Sequence, residues 1–180
     1  MKLRAMTLPL SAAVLALAAC SGSDSSAESD AMVESIPTAL ADADDMAKTA
    51  AALERTGVDG IFNGVASYTL LAPTDAAYAK LDDSEALFTD DEARAALAAM
   101  LKHQIVPGYL TLQDIASAIE AVPDGKVTMT AMDDTVLTFK EQDGKLVVVS
   151  DDGTTAHLGD ESISSNASIA IPIDAVLLQP

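Results

Sequence analysis

The chain has 180 residues, enough for one domain with a sizeable core plus an appendage, and with 49% apolar residues it is not globally disordered. Its 10 Lys and Arg stand against 28 Asp and Glu, for a formal net charge of -18, which argues against a nucleic-acid binder and against a polybasic membrane-surface binder, since both need clustered cations. A single cysteine excludes an intrachain disulfide framework and a Cys-based zinc site, and two histidines leave little for His-based metal or acid–base chemistry.

The chain opens with Lys2 and Arg4, followed by an apolar stretch over 6–19 broken by Pro9. That stretch is short of the roughly 20 apolar residues a membrane-spanning helix needs, and it reads as a signal peptide over 1–19. Leu17-Ala18-Ala19-Cys20 resembles the lipobox of bacterial lipoproteins. The resemblance implies that Cys20 becomes the new N-terminus and carries a diacylglycerol on its sulfur and an acyl chain such as palmitate on its amine, making a lipid bilayer a partner. Ser21, rather than Asp, follows the cysteine, which by the same resemblance implies the outer rather than the inner membrane if the cell is Gram-negative, facing the periplasm or the surface. The alternative is an ordinary cleaved signal peptide with an incidental Cys20. Cleavage removes two cations and no acid, so the mature chain is more acidic still. Residues 20–31 are small, Ser-rich and acidic, the composition of a flexible tether, and the folded domain is expected over 32–180.

Helices are expected early and strands late. Met46, Ala50 and Leu53 recur at helical spacing within 41–55, and Gly57 lies just past the end. Residues 59–63 add a helical turn before Gly64. An apolar run over 68–72 that stops at Pro73 predicts a strand. Thr74 is placed to cap a helix through residue 80, with Asp75 in its first turn. Thr89 and Glu92 match a capping box ahead of a helix over 94–101. Ile105 and Val106 predict a short strand ending at the turn signal Pro107-Gly108. Thr111 and Asp114 resemble a second capping box, before 115–119. Strands follow over 127–130, 135–140 and 145–150, separated by turns such as Asp143-Gly144 and Asp151-Asp152-Gly153. The last is 168–178, β-branched and buried, with an irregularity at Pro172. Helices on a largely antiparallel sheet make an α+β fold.

Three segments, in order, carry a family resemblance. The run from Tyr68 to Leu81, Tyr-Thr-Leu-Leu-Ala-Pro-Thr-Asp-Ala-Ala-Tyr-Ala-Lys-Leu, closely resembles the first motif of fasciclin domains. Leu101-Lys-His103-Gln-Ile-Val-Pro107-Gly108-Tyr109-Leu resembles their central segment, and Ile173-Asp174-Ala-Val-Leu-Leu-Gln-Pro180 their closing strand. The resemblance covers essentially all of 32–180. It implies a single fasciclin-like domain, a wedge-shaped sandwich with helices packed on it, with no catalytic activity and no cofactor. It also implies a role in adhesion through an unknown protein or polysaccharide. The sequence departs from the family pattern in two places. Lys102 stands where a Tyr usually precedes the central His, and Ile171 stands where the closing strand usually carries His.

The residues of these motifs read first as structural: Pro73 ends a strand, Thr74 and Asp75 open a helix, Tyr78 and Leu81 face the core, and Asp174 closes the domain. His103 lies in an apolar segment at a strand entrance. It is read as a satisfied core histidine, with a ligand pocket or cryptic active site beside it as the alternative. Tyr109, after Pro107-Gly108, is the candidate contact residue, since interfaces favour exposed aromatics over charge. His157 reads as an exposed loop histidine. A Ser-His-Asp set is not excluded by counting, but no Gly-x-Ser-x-Gly frames any serine. The paired acids at 44–45, 82–83, 90–92, 133–134 and 151–152 lack calcium-loop spacing and read as solvated turns and helix starts, with no metal assigned.

Overall fold

The computed structural model describes residues 35–165 and 167–177, all within the unit Met32–Pro180. The expected signal peptide, Cys20 and the tether lie outside the described residues. The first helix, α1 (Ile36–Asp42), carries Pro37 in its first turn, where the missing N–H costs nothing. The second, α2 (Ala47–Thr56), ends on Gly57 at φ 73°. The single helix expected over 41–55 is therefore two. Between them Ala43 is extended and Asp45 sits at φ 60°, a left-handed conformation that a short polar side chain tolerates.

A 3-10 segment (Val58–Asn63) leads to β1 (Tyr68–Pro73). Next come α3 (Asp75–Tyr78), a single turn rather than a helix reaching residue 80, and α4 (Ser84–Thr89), which no sequence signal announced. A second 3-10 turn (Asp91–Ala93) runs straight into α5 (Arg94–His103). The expected Thr89/Glu92 capping box does not form. The Thr89 hydroxyl instead donates back to the Glu85 carbonyl at 3.0 Å inside α4, and α5 inherits its first turn from backbone already near-helical at Ala93. After β2 (Ile105–Pro107), α6 (Leu112–Ala121) begins with the Thr111/Asp114 box fully made. The remaining strands are β3 (Lys126–Thr130), β4 (Val136–Gln142), β5 (Lys145–Val149), β6 (Thr155–His157), β7 (Ile163–Ser164) and β8 (Ile169–Ile173). The last is half the expected length and runs through Pro172.

The strands form two sheets, ordered β2-β1-β8-β7 and β3-β4-β5-β6. Every pairing is antiparallel except β1 with β8. A bridge from Leu158 to Ile173, and a bond from Met132 N–H to the Ile105 carbonyl at 2.8 Å, tie the sheets together. Because side chains alternate along a strand, the first sheet serves two cores. Leu70, Ala72 and Ala170 pack on Ile36, Leu40, Leu53, Leu97 and Leu101 of the helices. Leu71, Ile171 and Ile173 face Leu137, Phe139, Val148 and Ala156 of the second sheet, with Ile115 and Ile119 of α6 alongside. Burial on both faces is why β1 and β8 read as unbroken apolar runs. The result is an α+β fold of three layers: helices, a central sheet and an outer sheet.

Candidate functional site

The first motif is a junction between elements. The Thr74 hydroxyl accepts from Ala77 N–H at 3.1 Å and caps α3. The Asp75 carboxylate reaches back 27 residues and accepts from Lys48 N–H at 2.7 Å, so it caps α2 as well as opening its own helix. The buried Thr49 hydroxyl donates to the Pro73 carbonyl at 2.6 Å. Tyr78 is 1% exposed and meets Phe88 edge-on at 5.3 Å; Leu81 packs partly buried beside them. Burial pushes the Tyr78 phenol up to about 12, with a hydrogen bond to Thr49 opposing and the Asp75 charge adding to the rise. Thr74 N–H bonds the Ile173 carbonyl at 3.0 Å, and Lys80 Nζ bonds the Asp174 carbonyl at 2.7 Å. Pro73, Thr74, Asp75, Tyr78 and Asp174 are thus brought together to lock β1, β8 and α2.

His103, expected at a strand entrance, is the last residue of α5, two residues before β2, and only 2% exposed. Its Nδ1 lies 2.9 Å from Asp133 Oδ2, and its Nε2 lies 2.7 Å from Ser150 Oγ. Asp133 belongs to the β3–β4 turn, where its Oδ1 accepts from Thr135 N–H at 3.2 Å, and Ser150 opens the β5–β6 turn. Burial raises the Asp133 carboxyl, but the bonds from His103 and Thr135 outweigh it, and the group lies below the ordinary carboxylate range. Ser150, His103 and Asp133 are connected in the order of a catalytic triad. The chemistry does not follow, because Ser150 is only 4% exposed. A substrate carbonyl has no approach to a Ser150 Oγ buried this deeply. What the arrangement does is fasten two hairpin turns of the outer sheet to the end of α5. The sequence marked Asp133 only as half of a solvated acidic pair and Ser150 only as the end of a strand, with no link from either to His103.

The Pro107-Gly108 turn carries Gly108 at φ 107°. The buried Thr69 hydroxyl donates to the Gly108 carbonyl at 2.7 Å and accepts from Leu110 N–H at 2.9 Å, which fixes the loop and leaves Tyr109 40% exposed between them.

His157, expected in a loop, ends β6 and faces a different acid. The Asp174 carboxylate accepts from His157 N–H at 2.7 Å and lies 3.0 Å from His157 Nδ1. Burial raises the Asp174 carboxyl, but the two His157 hydrogen bonds and the His157 and Lys80 charges bring it lower than usual. A cleft of about 370 Å³ opens beside the pair, lined also by Thr74, Lys145 and Asp160. Among the described residues no group of three or more His, Cys, Asp or Glu side chains converges in a way that could hold a metal ion, and no helix among them is long and apolar enough to cross a membrane.

The fasciclin domain model matches residues 44–179, and the chain belongs to the fasciclin family. Among solved structures it is similar to a FAS1 domain pair from the insect cell adhesion molecule fasciclin I, with a TM-score of 0.67 and 16% identity over 81% of this chain and 51% of that one. The chain thus spans about half the length of that structure. The likeness is one of fold. No curated protein sequence matches the chain.

Proposed function

We propose that this protein is a non-catalytic, lipid-anchored adhesion module of the bacterial cell envelope. Acyl chains at Cys20 hold it on a bilayer, residues 20–31 act as the tether, and the domain over 32–180 presents a surface to a protein or polysaccharide. The observation that carries the reading is family membership over 44–179, together with a neighbour of the same fold that is described as a cell adhesion molecule. The buried Ser150–His103–Asp133 set supports the non-catalytic part, since its nucleophile is shielded from solvent. A small-ligand or enzymatic site at His103 is not favoured, because His103 and Ser150 are 2% and 4% exposed and neither offers a free face to a ligand.

Two or more acyl chains hold a protein stably on a bilayer where one does not, and Ser21 after Cys20 favours the outer membrane in a Gram-negative cell. The test is fractionation of cells producing the wild type and Cys20→Ser. The wild type is expected in the membrane fraction and the variant in the soluble fraction. Membrane association that survives the substitution refutes the anchor. The adhesion part is checked by panning the protein against matrix proteins and polysaccharides beside a charge-matched control; binding no stronger than the control refutes it.

A further inference from the structure

The outer sheet turns one face to the core, and its opposite face carries exposed and half-buried side chains around the fully buried Val147. Val127, Met129, Leu137, Phe139, Val148 and Ala156 pack inward, so by alternation their neighbours point outward. The register aligns those neighbours in rows across the strands. Lys126 lies opposite Lys140, Lys140 opposite Val147, and Val147 opposite His157. The next row is Thr128, Thr138, Val149 and Thr155, and Gln142 lies opposite Lys145 beyond the first row. Lys126, Thr128, Lys145, Thr155 and His157 are exposed, Thr138 and Lys140 half-buried, and Val147 is buried between its two basic neighbours in the row. No Asp or Glu stands in these rows. In a chain with 28 acids and 10 Lys and Arg, one sheet face therefore gathers three lysines and a histidine among threonine hydroxyls. His157 is held there through Nδ1 by Asp174, and its Nε2 has no partner among the described residues.

We propose that this face binds an extended acidic polysaccharide, one carrying carboxylates such as a polyuronate. The inference rests on the adhesion reading above and names the partner class. Three features favour this occupant. Lys126 and Lys140 stand one strand apart, roughly 4.8 Å, and Lys145 lies two residues along β5 from their row, a sparse set that suits one carboxylate per sugar rather than the dense phosphates of nucleic acid. Threonine rows beside the lysines offer donors and acceptors for sugar hydroxyls. Among the described residues the face carries no Phe, Tyr or Trp on which a neutral sugar could stack, so charge has to supply the recognition. Screening over about 10 Å at 0.1 M salt makes the local face, not the net charge, decide the encounter.

The test uses the full-length protein in detergent, with polygalacturonate, neutral dextran and poly-glutamate as probes. Lys126→Glu with Lys140→Glu reverses one row. Arg94→Glu with Lys102→Glu on α5 makes the same change in net charge at exposed positions elsewhere. Thermal melts confirm that both variants fold. Wild type is expected to bind polygalacturonate with an affinity that falls as salt rises, and to bind dextran no better than buffer. The sheet variant is expected to lose about tenfold in affinity, from two attractions removed and two repulsions added, and the helix variant less than twofold. Equal losses in both variants, or poly-glutamate bound as tightly as polygalacturonate, overturn the proposal. A matrix ligand that wild type and sheet variant hold equally leaves the adhesion reading standing and this face refuted. Failure of the wild type to bind any partner refutes both.

Discussion

Replacing His103 with Ala tests whether the buried triad-like set is a structural clamp. The imidazole is 2% exposed and makes two hydrogen bonds, at 2.9 Å to Asp133 and 2.7 Å to Ser150. Each such bond contributes about 1 kcal/mol net, nearer 2 where a carboxylate is the acceptor. Removing the ring also leaves a cavity and an unpartnered Ser150 hydroxyl, adding about 1–2 kcal/mol. The expected loss is about 4 kcal/mol, a large share of a total that for typical domains is about 5–15 kcal/mol. It corresponds to a fall in Tm of roughly 10–15 °C for a domain of this size.

Urea titrations of wild type, His103→Ala, Asp133→Asn and the double variant measure the loss and close a double-mutant cycle. A coupling energy of about 1–2 kcal/mol is expected between the two positions. The pH dependence has a fixed sign. The folded Asp133 pKa lies below its unfolded value near 3.9, so its stabilisation is fully present above about pH 4 and is lost as pH falls through the folded value. The penalty of Asp133→Asn should therefore be present at pH 7 and shrink below about pH 4. A His103→Ala loss under about 1 kcal/mol, or a cycle with no coupling, would falsify the clamp.

Two other tests concern the sequence motifs. Asp75→Ala removes the carboxylate that caps α2 across 27 residues and is expected to cost about 1–2 kcal/mol. Hydrogen exchange should show the loss at the start of α2, and protection unchanged at Lys48 would sink the assignment. Thr111→Ala breaks the capping box of α6. The Thr111 side-chain and backbone hydrogen bonds hold the Asp114 carboxyl below its ordinary range, so NMR titration should show that pKa rising in the variant.

Short-range rules made much of the fold legible. Thr74 and the Thr111/Asp114 pair cap helices within three residues of themselves. Asp143-Gly144 adopts positive φ at both positions, as a tight hairpin requires. The alternation of Lys126, Thr128 and Thr130 marks a strand with one wet face. Where these rules failed, a neighbour distant in sequence had intervened. Asp75 caps a helix other than its own. Thr89 and Glu92 look like a box, but the chain tightens into a 3-10 turn between α4 and α5.

By itself the sequence determined the class of the chain, its acidity, the trend from early helices to late strands and the motif order that resembles the fasciclin family, while α4, β6 and β7 carried no signal. All of these depend on composition, periodicity or contacts within a few residues. Tertiary structure alone decided that His103 meets Asp133 and Ser150, 30 and 47 residues away, and that β8 pairs in parallel with β1. It alone decided that lysines from three strands share one face with His157. Strand register and helix placement are set by how apolar faces pack across the whole domain, and a one-residue slip would turn each of those side chains to the other side.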